Sequence, residues 1–361
     1  MKKVLFFLSF LLITSLFAQN VNFNLTGAGA RAAGMGGAFI GVADDATAIV
    51  WNPAGLTLLE RPEASIVTRF VGDSYTFEFM GEEEDETQSH FVLNFISCAY
   101  PFRFGSRKIV GALAVQRQID LYNYYKGNDY ESEGVGGVDT ATLGAGIQIL
   151  PFLYAGFAQN FWFGKYEYKE NFRADYESEE KYSGMNFVFG AMLDLNGLMN
   201  PVPFKVGFTF RSPFTLNIEF DDEFDGYEEE LDMPLMLGFG ASYRLGEFFT
   251  LAADYETRKY SEVDFPFDMN QFRVGAEYLL VTDFAVIPLR FGFNNHPTFM
   301  EDENEDQIMG TGVGMGSGLI FERFALDLSL SGNVTEIEIF EDFTYTITQA
   351  IITISGIVYF E

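Results

Sequence analysis

Residues 204–220 read FKVGFTFRSPFTLNIEF. Phe204, Val206, Phe208, Phe210, Phe214, Leu216, Ile218 and Phe220 share one parity, while Lys205, Gly207, Thr209, Arg211, Thr215, Asn217 and Glu219 share the other. Successive side chains of a strand point to opposite faces, so this spacing predicts one apolar face and one small or polar face. Phe324, Leu326, Leu328 and Leu330 alternate in the same way with Ala325, Asp327 and Ser329, as do Leu289, Phe291 and Phe293 with Arg290, Gly292 and Asn294. A water-soluble sandwich alternates too. A small and polar inner face nevertheless favours a wide barrel whose apolar side meets lipid.

Extending this reading outward predicts strands near 63–80, 88–100, 107–125, 137–149, 152–169, 182–195, 203–220, 233–244, 247–260, 270–280, 286–296, 309–321, 323–340 and 343–360. The fold expected is all-β, a 14-stranded antiparallel transmembrane β-barrel; an even count returns both termini to one side. Links after the even strands read as short, such as 150–152, 244–247 and 322–323. Links after the odd strands read as longer and acidic, including 81–87, 173–181, 221–231 and 301–306, so the acidic rim should face outside the cell.

Composition agrees. The 361 residues carry 22 Lys+Arg against 52 Asp+Glu, a formal charge of -30, which excludes a protein built to neutralise nucleic-acid phosphates. Hydrophobic residues make up 48% and include 41 Phe and 18 Tyr, too apolar for a disordered chain. The single cysteine, Cys98, leaves no intramolecular disulfide or Cys-cluster zinc site. His90 and His296, both expected near strand ends, show no Ser/His or Asp/His signature; no enzyme, metal or cofactor is expected. MKK followed by an apolar run from Val4 to Ala18 reads as a secretory signal, with cleavage after Ala18, and no later run is long enough for a membrane helix. The expected location is the bacterial outer membrane.

Residues 26–62, TGAGARAAGMGGAFIGVADDATAIVWNPAGLTLLERP, lack strand alternation. Small residues permit close packing, and Gly34, Gly36 and Gly37 admit dihedrals that other residues resist, so the piece suits a plug in the lumen. Asp44 and Asp45 read as caps of a short helix running to Val50, and Asn52-Pro53 stops it. The domains expected are a signal peptide, 1–18, an N-terminal hatch inside the lumen, 19–62, and the barrel, 63–361.

Here a resemblance enters. The stretch 30–56, with Asn52, Pro53 and Ala54 as its NPA element, is similar to the hatch of the FadL/TodX outer-membrane transporters of long-chain fatty acids and hydrocarbons. Residues 206–220, 234–256 and 271–280 resemble their later strands. The resemblance implies passive diffusion of hydrophobic small molecules, with capture between outer loops, a lumen pocket beside the hatch, and lateral exit through a gap made by a kink in the third strand. PorV-like barrels tied to type IX secretion share a version of the hatch motif; a structural or secretion-associated barrel is the rival reading. The partners implied are hydrophobic small molecules, outer-membrane lipids and glycolipids, and the outer-membrane assembly machinery; a monomer is expected, with no nucleic acid.

On the third strand Gly111 and Arg117 are the lateral-gap candidates. Arg117 falls on the lipid parity with Ile109, Leu113 and Val115, where a midplane charge costs roughly 2–4 kcal/mol. Either the register breaks near 115–119 or the side chain snorkels to the interface. Lys205, Arg211, Arg258, Arg273 and Arg290 fall on the inward parity. Arg211, Arg273 and Arg290 are candidates to meet a ligand carboxylate; the alternative is an ion-pair ladder with Glu219, Asp254, Glu256 and Glu277. Phe161, Trp162 and Phe163 read as lipid-facing or interfacial aromatics.

Overall fold

The computed structural model describes residues 27–361 apart from 80, 106, 128–129, 173, 223–225, 303 and 341–342. The expected signal peptide and the first hatch residues lie outside the described residues. Fourteen strands follow in chain order: β1 Glu63–Phe79, β2 Glu82–Phe104, β3 Arg107–Asp120 continuing as Asn123–Lys126, β4 Glu131–Leu150, β5 Leu153–Phe172, β6 Ala174–Asp194 and β7 Phe204–Arg211 continuing as Phe214–Asp222. The second half comprises β8 Gly226–Met233 continuing as Met236–Leu245, β9 Phe249–Arg258, β10 Met269–Val281, β11 Val286–Glu301, β12 Gln307–Ile320, β13 Phe324–Phe340 and β14 Phe343–Tyr359. Neighbours pair antiparallel, and β1 pairs with β14 from Glu63↔Tyr359 to Phe79↔Phe343, which closes the barrel. On β11 and β13, Phe291 and Leu328 face outward at 58% and 54% exposure, while Arg290 and Asp327 face inward at 5% and 6%.

The acidic stretches expected as outer loops are mostly strand. Residues 82–87, 174–181 and 226–231 continue the ladder. Alternation fades there because both faces leave the hydrocarbon and turn polar, yet backbone pairing continues. Cross-strand ion pairs on β5 and β6, Lys165–Glu179 at 2.5 Å and Lys169–Glu177 at 3.1 Å, support the projecting hairpin. At the opposite end the turns at 151–152, 246–248 and 321–323 are short, whereas the link after β6 runs over 195–203 with a 3-10 turn at Leu195–Gly197.

Several strands reverse their inward and outward faces, β3 and β7 among them. In β7 the break at Ser212-Pro213 adds one residue: Arg211 lies opposite Val188 of β6, and Asn217 opposite Ser183. Proline has no N–H to give the ladder, and an inserted residue shifts parity by one. The single apolar face expected for 204–220 is therefore split. Val206, Phe208 and Phe210 lean to the membrane side, whereas Leu216 is buried in the lumen with Phe214 and Ile218 packed beside it. In β3 the register against β4 shifts between Arg117 and Ile119, which turns Ile119 and Leu121 inward.

Candidate functional site

The plug is built from α1 Ala30–Gly34, α2 Ala48–Trp51 and a 3-10 turn at Pro53–Leu58. Its backbone touches the wall at inward glycines that form a belt across paired strands: Gly146↔Gly156↔Gly190, Gly207↔Gly240 and Gly275↔Gly292↔Gly314. A Cβ on Gly156 would overlap Pro53, one on Gly190 would overlap Asn52, and one on Gly292 would overlap Met35 and Gly36. Gly36 and Gly37 take φ of 64° and 80°, the left-handed turn that brings the chain against β11. The sequence singled out the plug's own glycines; the belt facing them carried a signal only in its inward parity.

Polar bonds fix the plug at several points. Asp254 accepts the N–H groups of Phe39 and Ile40 at 2.6 and 2.7 Å. Ser242 Oγ donates to the Gly41 carbonyl at 2.8 Å, and Asn52 Nδ2 donates to the carbonyls of Ile40 and Ala191. Asn52 Oδ1 accepts from Ala54 N–H, so the Asn52-Pro53-Ala54 element ends α2 and opens the 3-10 turn. Arg31 joins plug to wall, donating to Glu277 at 2.9 and 3.0 Å and to Asp44 at 2.5 Å. Asp44 thus serves as an ion-pair partner and not as a helix cap. Asp45 Oδ1 receives the Thr47 N–H and hydroxyl, a bond to its own chain two residues on, just before α2. Burial pushes the Asp45 carboxyl up from its ordinary value, against Arg31 and Thr47, which pull it down.

The inward cations are held by protein groups. Arg290 donates to Glu277 at 2.7 Å and to Asp327 at 2.5 Å. Arg273 reaches Glu256 at 3.3 Å and Gln271 at 2.5 Å, and Arg258 pairs with Glu256 at 2.6 Å. Arg211 donates to the Val50 carbonyl at 3.0 Å. The ladder alternative describes these contacts, with two amendments: Glu219 stays at the exposed hairpin end, and Asp254 serves plug backbone. Arg31, Asp327 and Gln271 were missed because nothing local marks their partners.

Toward the hairpin end the lumen holds an apolar cluster. Ile119, Val138, Trp162, Tyr182, Leu216, Met233, Met236, Tyr260 and Met269 are buried together, with Leu121, Phe214, Phe265 and Phe299 against them. Trp162 is therefore a lumen residue, contrary to expectation, and donates to Asn186 at 2.8 Å; Phe161 and Phe163 face outward. At the short-turn end, a polar cavity of about 290 Å³ lies between plug and wall, lined by Arg31, Asp44, Asp45, Glu63, Glu277 and Arg290 among others.

Beside the apolar cluster the wall is interrupted. The β2–β3 ladder runs from Phe104↔Arg107 to Phe95↔Gln116, and residues 82–93 of β2 are in register with β1 alone. Gly111 sits within the intact ladder, opposite Tyr100 and Ala145, and so is not at the break. Arg117 is at the break, and the register-shift alternative is the one observed. Its charge is met by Asp139 at 2.7 Å, without a need to snorkel. His90 lies in the interior of β2, not near its end.

Fold and site define a 14-stranded outer-membrane β-barrel whose inward glycines pack against the segment that precedes β1. The chain belongs to the BamG family, whose profile matches residues 1–336. No curated protein sequence matches it significantly. Among solved structures it is similar to the Pseudomonas putida toluene transporter TodX, with 12% identity, TM-score 0.68, and 94% of this chain and 100% of that chain covered. It is also similar to a Pseudomonas aeruginosa FadL homologue, with 10% identity, TM-score 0.68 and coverage of 95% and 100%, and to the Ralstonia pickettii toluene transporter TbuX, with 15%, 0.64, and 94% and 100%. At these identities the likeness is one of fold.

Proposed function

We propose that the protein carries hydrophobic small molecules across the outer membrane by passive diffusion. Entry is between the acidic hairpins, residence is in the apolar lumen cluster, and exit is sideways between β2 and β3. The observation that carries this reading is the adjacency of cluster and break: Ile119 and Leu121 belong to the cluster and flank the break. Outward residues at that level are still apolar, with Phe91 and Leu93 on β2 and Val135 on β4 all exposed. A lipophile leaving there would pass from an apolar interior into hydrocarbon without crossing water. The chain would work as a monomer amid outer-membrane lipids and glycolipids, placed there by the outer-membrane assembly machinery.

An uncharged cargo fits better than a carboxylate. A fatty-acid anion would pass acidic hairpins and then compete with Glu277, Asp327 or Glu256 for Arg290 or Arg273. Uptake of an alkylbenzene and of an alkanoate of equal carbon number, compared between deletion and wild-type cells, tests this. The expected result is an uptake rate for the alkylbenzene that falls severalfold on deletion, with little change for the alkanoate. Equal rates in deletion and wild type for both compounds would refute transport.

A structural or type IX secretion-associated, PorV-like role is the second reading. It is favoured by the plug's polar bonds to the wall and by the polar lining of the cavity at the short-turn end. Loss of other surface proteins in the deletion strain, with lipophile uptake intact, would select it.

A further inference from the structure

Bulges on two facing strands create the break in the wall. On β2 the register against β1 shifts between Val67 and Thr68, so that Asn94 is left without a rung; on β3 it shifts after Arg117. A bulge bends its strand and raises the local twist, and two at one level turn the strands apart. Beyond Phe95↔Gln116 the described contacts between the strands each involve a side chain of β2. His90 Nε2 and Asp120 Oδ2 lie 2.6 Å apart, and the Tyr124 N–H donates to Gln88 Oε1 at 2.8 Å. The Asn94 amide reaches the Arg117 carbonyl only at 3.5 Å. The His90 ring stacks on Tyr122, with centroids 4.2 Å apart.

The surroundings suit a contact that is made and broken. A ladder of ten rungs holds the lower part of β2 to β3, whereas above it the short imidazole–carboxylate bond of His90 and Asp120 is the shortest of the few described contacts. His90 Nδ1, Asn94 Oδ1 and Arg69 Nε are buried without partners beside it. Polar atoms in that condition gain by a change that admits water or a partner. Asp120 also faces Arg117 at 3.7 Å, which keeps the carboxylate placed on β3 when His90 departs.

We propose that His90 and Asp120 form a clasp that holds the lateral opening shut, and that separating them opens the wall beside Ile119 and Leu121. The clasp regulates the exit assigned under the proposed function and rests on that reading. It is a positioning contact: neither side chain needs to touch the cargo.

The test uses the full-length protein in the Cys98→Ser background, with spin labels at Thr87 and Tyr124, two exposed positions on either side of the break. Label-to-label distances and proteoliposome uptake of an alkylbenzene are measured for the parent, His90→Ala, Asp120→Ala and the double variant, each confirmed as folded by its heat-modifiable gel migration. A lost hydrogen bond to a charged group shifts an open–closed equilibrium on the order of tenfold. The distance distribution should therefore broaden to longer values and uptake should rise severalfold. The double variant should match the single ones, since all remove one bond. Unchanged distances in all three folded variants would overturn the clasp, whatever the uptake. Longer distances without uptake in any protein would uphold the clasp and sink the transport reading.

Discussion

Asp254 faces the lumen from β9, and one of its oxygens takes both the Phe39 and the Ile40 N–H. Two adjacent backbone donors of the plug thus depend on a single carboxylate, and their loss inside the barrel costs about 1–3 kcal/mol per group left unmet. Asp254→Ala should loosen the plug without unfolding the wall, which protease sensitivity of the plug in otherwise gel-stable protein would report. Gly156→Val should do the same by bulk, because its Cβ would overlap the Pro53 carbonyl carbon and the Ala54 nitrogen. An expelled or shifted plug should redden the emission of Trp51, whose indole now donates to the Ala28 carbonyl at 2.9 Å. Gly81→Ala is the control for glycine replacement away from the plug, since no atom lies within 4 Å of a Cβ there, although its φ of 78° is itself unfavourable to alanine.

At the scale of the element, the Ser212-Pro213 interruption decides whether β7 feeds lipid or lumen. The extra residue lets Phe214, Leu216 and Ile218 take the lumen face although they share the parity of Phe210. Phe214→Ala should remove from the apolar cluster the ring that lies 4.9 Å from Trp162. Reduced binding of a hydrophobic fluorophore, in barrels of unchanged gel mobility, would be the expected outcome. The link between β9 and β10, residues 259–268, caps the same cluster with Tyr260 and Phe265. Burial opposes the charge of Asp268, but Lys259 at 2.6 Å and the Ser261 hydroxyl and N–H outweigh it and hold the carboxyl below its ordinary value. A depressed carboxyl contributes stability above its unfolded value, about 3.9 for aspartate, and loses it as pH falls through the folded value. The link should therefore open below about pH 4. Hydrogen exchange of residues 260–267 against pH should show it, and Asp268→Asn should erase the pH dependence.

For the molecule as a whole, 52 acidic residues against 22 basic ones set the field at the hairpin end. Screening reaches about 10 Å at 0.1 M salt. Uptake of an alkanoate should rise with ionic strength from low salt, while that of an alkylbenzene should stay flat; proteoliposome flux at graded salt measures both. Fourteen strands, their order and the boundary near residue 63 could be read from parity alone, because covalent geometry imposes the two-residue repeat on any strand and lipid demands apolar residues along one side of it. The plug was legible from its glycines and its NPA element, although its first residues stay outside what is described. Less was legible where chain meets chain. Arg211, Arg273 and Arg290 were visible as inward cations, but their commitment to Val50, Glu256 and Glu277 depends on which strands become neighbours. Arg117 on the lipid parity raised a register break near 115–119 as one of two alternatives; the choice between them, the face reversal at 212–213 and the burial of Trp162 followed only from register, since a bulge is a mismatch between two strands and one strand by itself does not encode it. Local periodicity, then, was enough for the barrel. The ion pairs of the lumen and the end of the β2–β3 ladder came from pairing between segments distant in sequence.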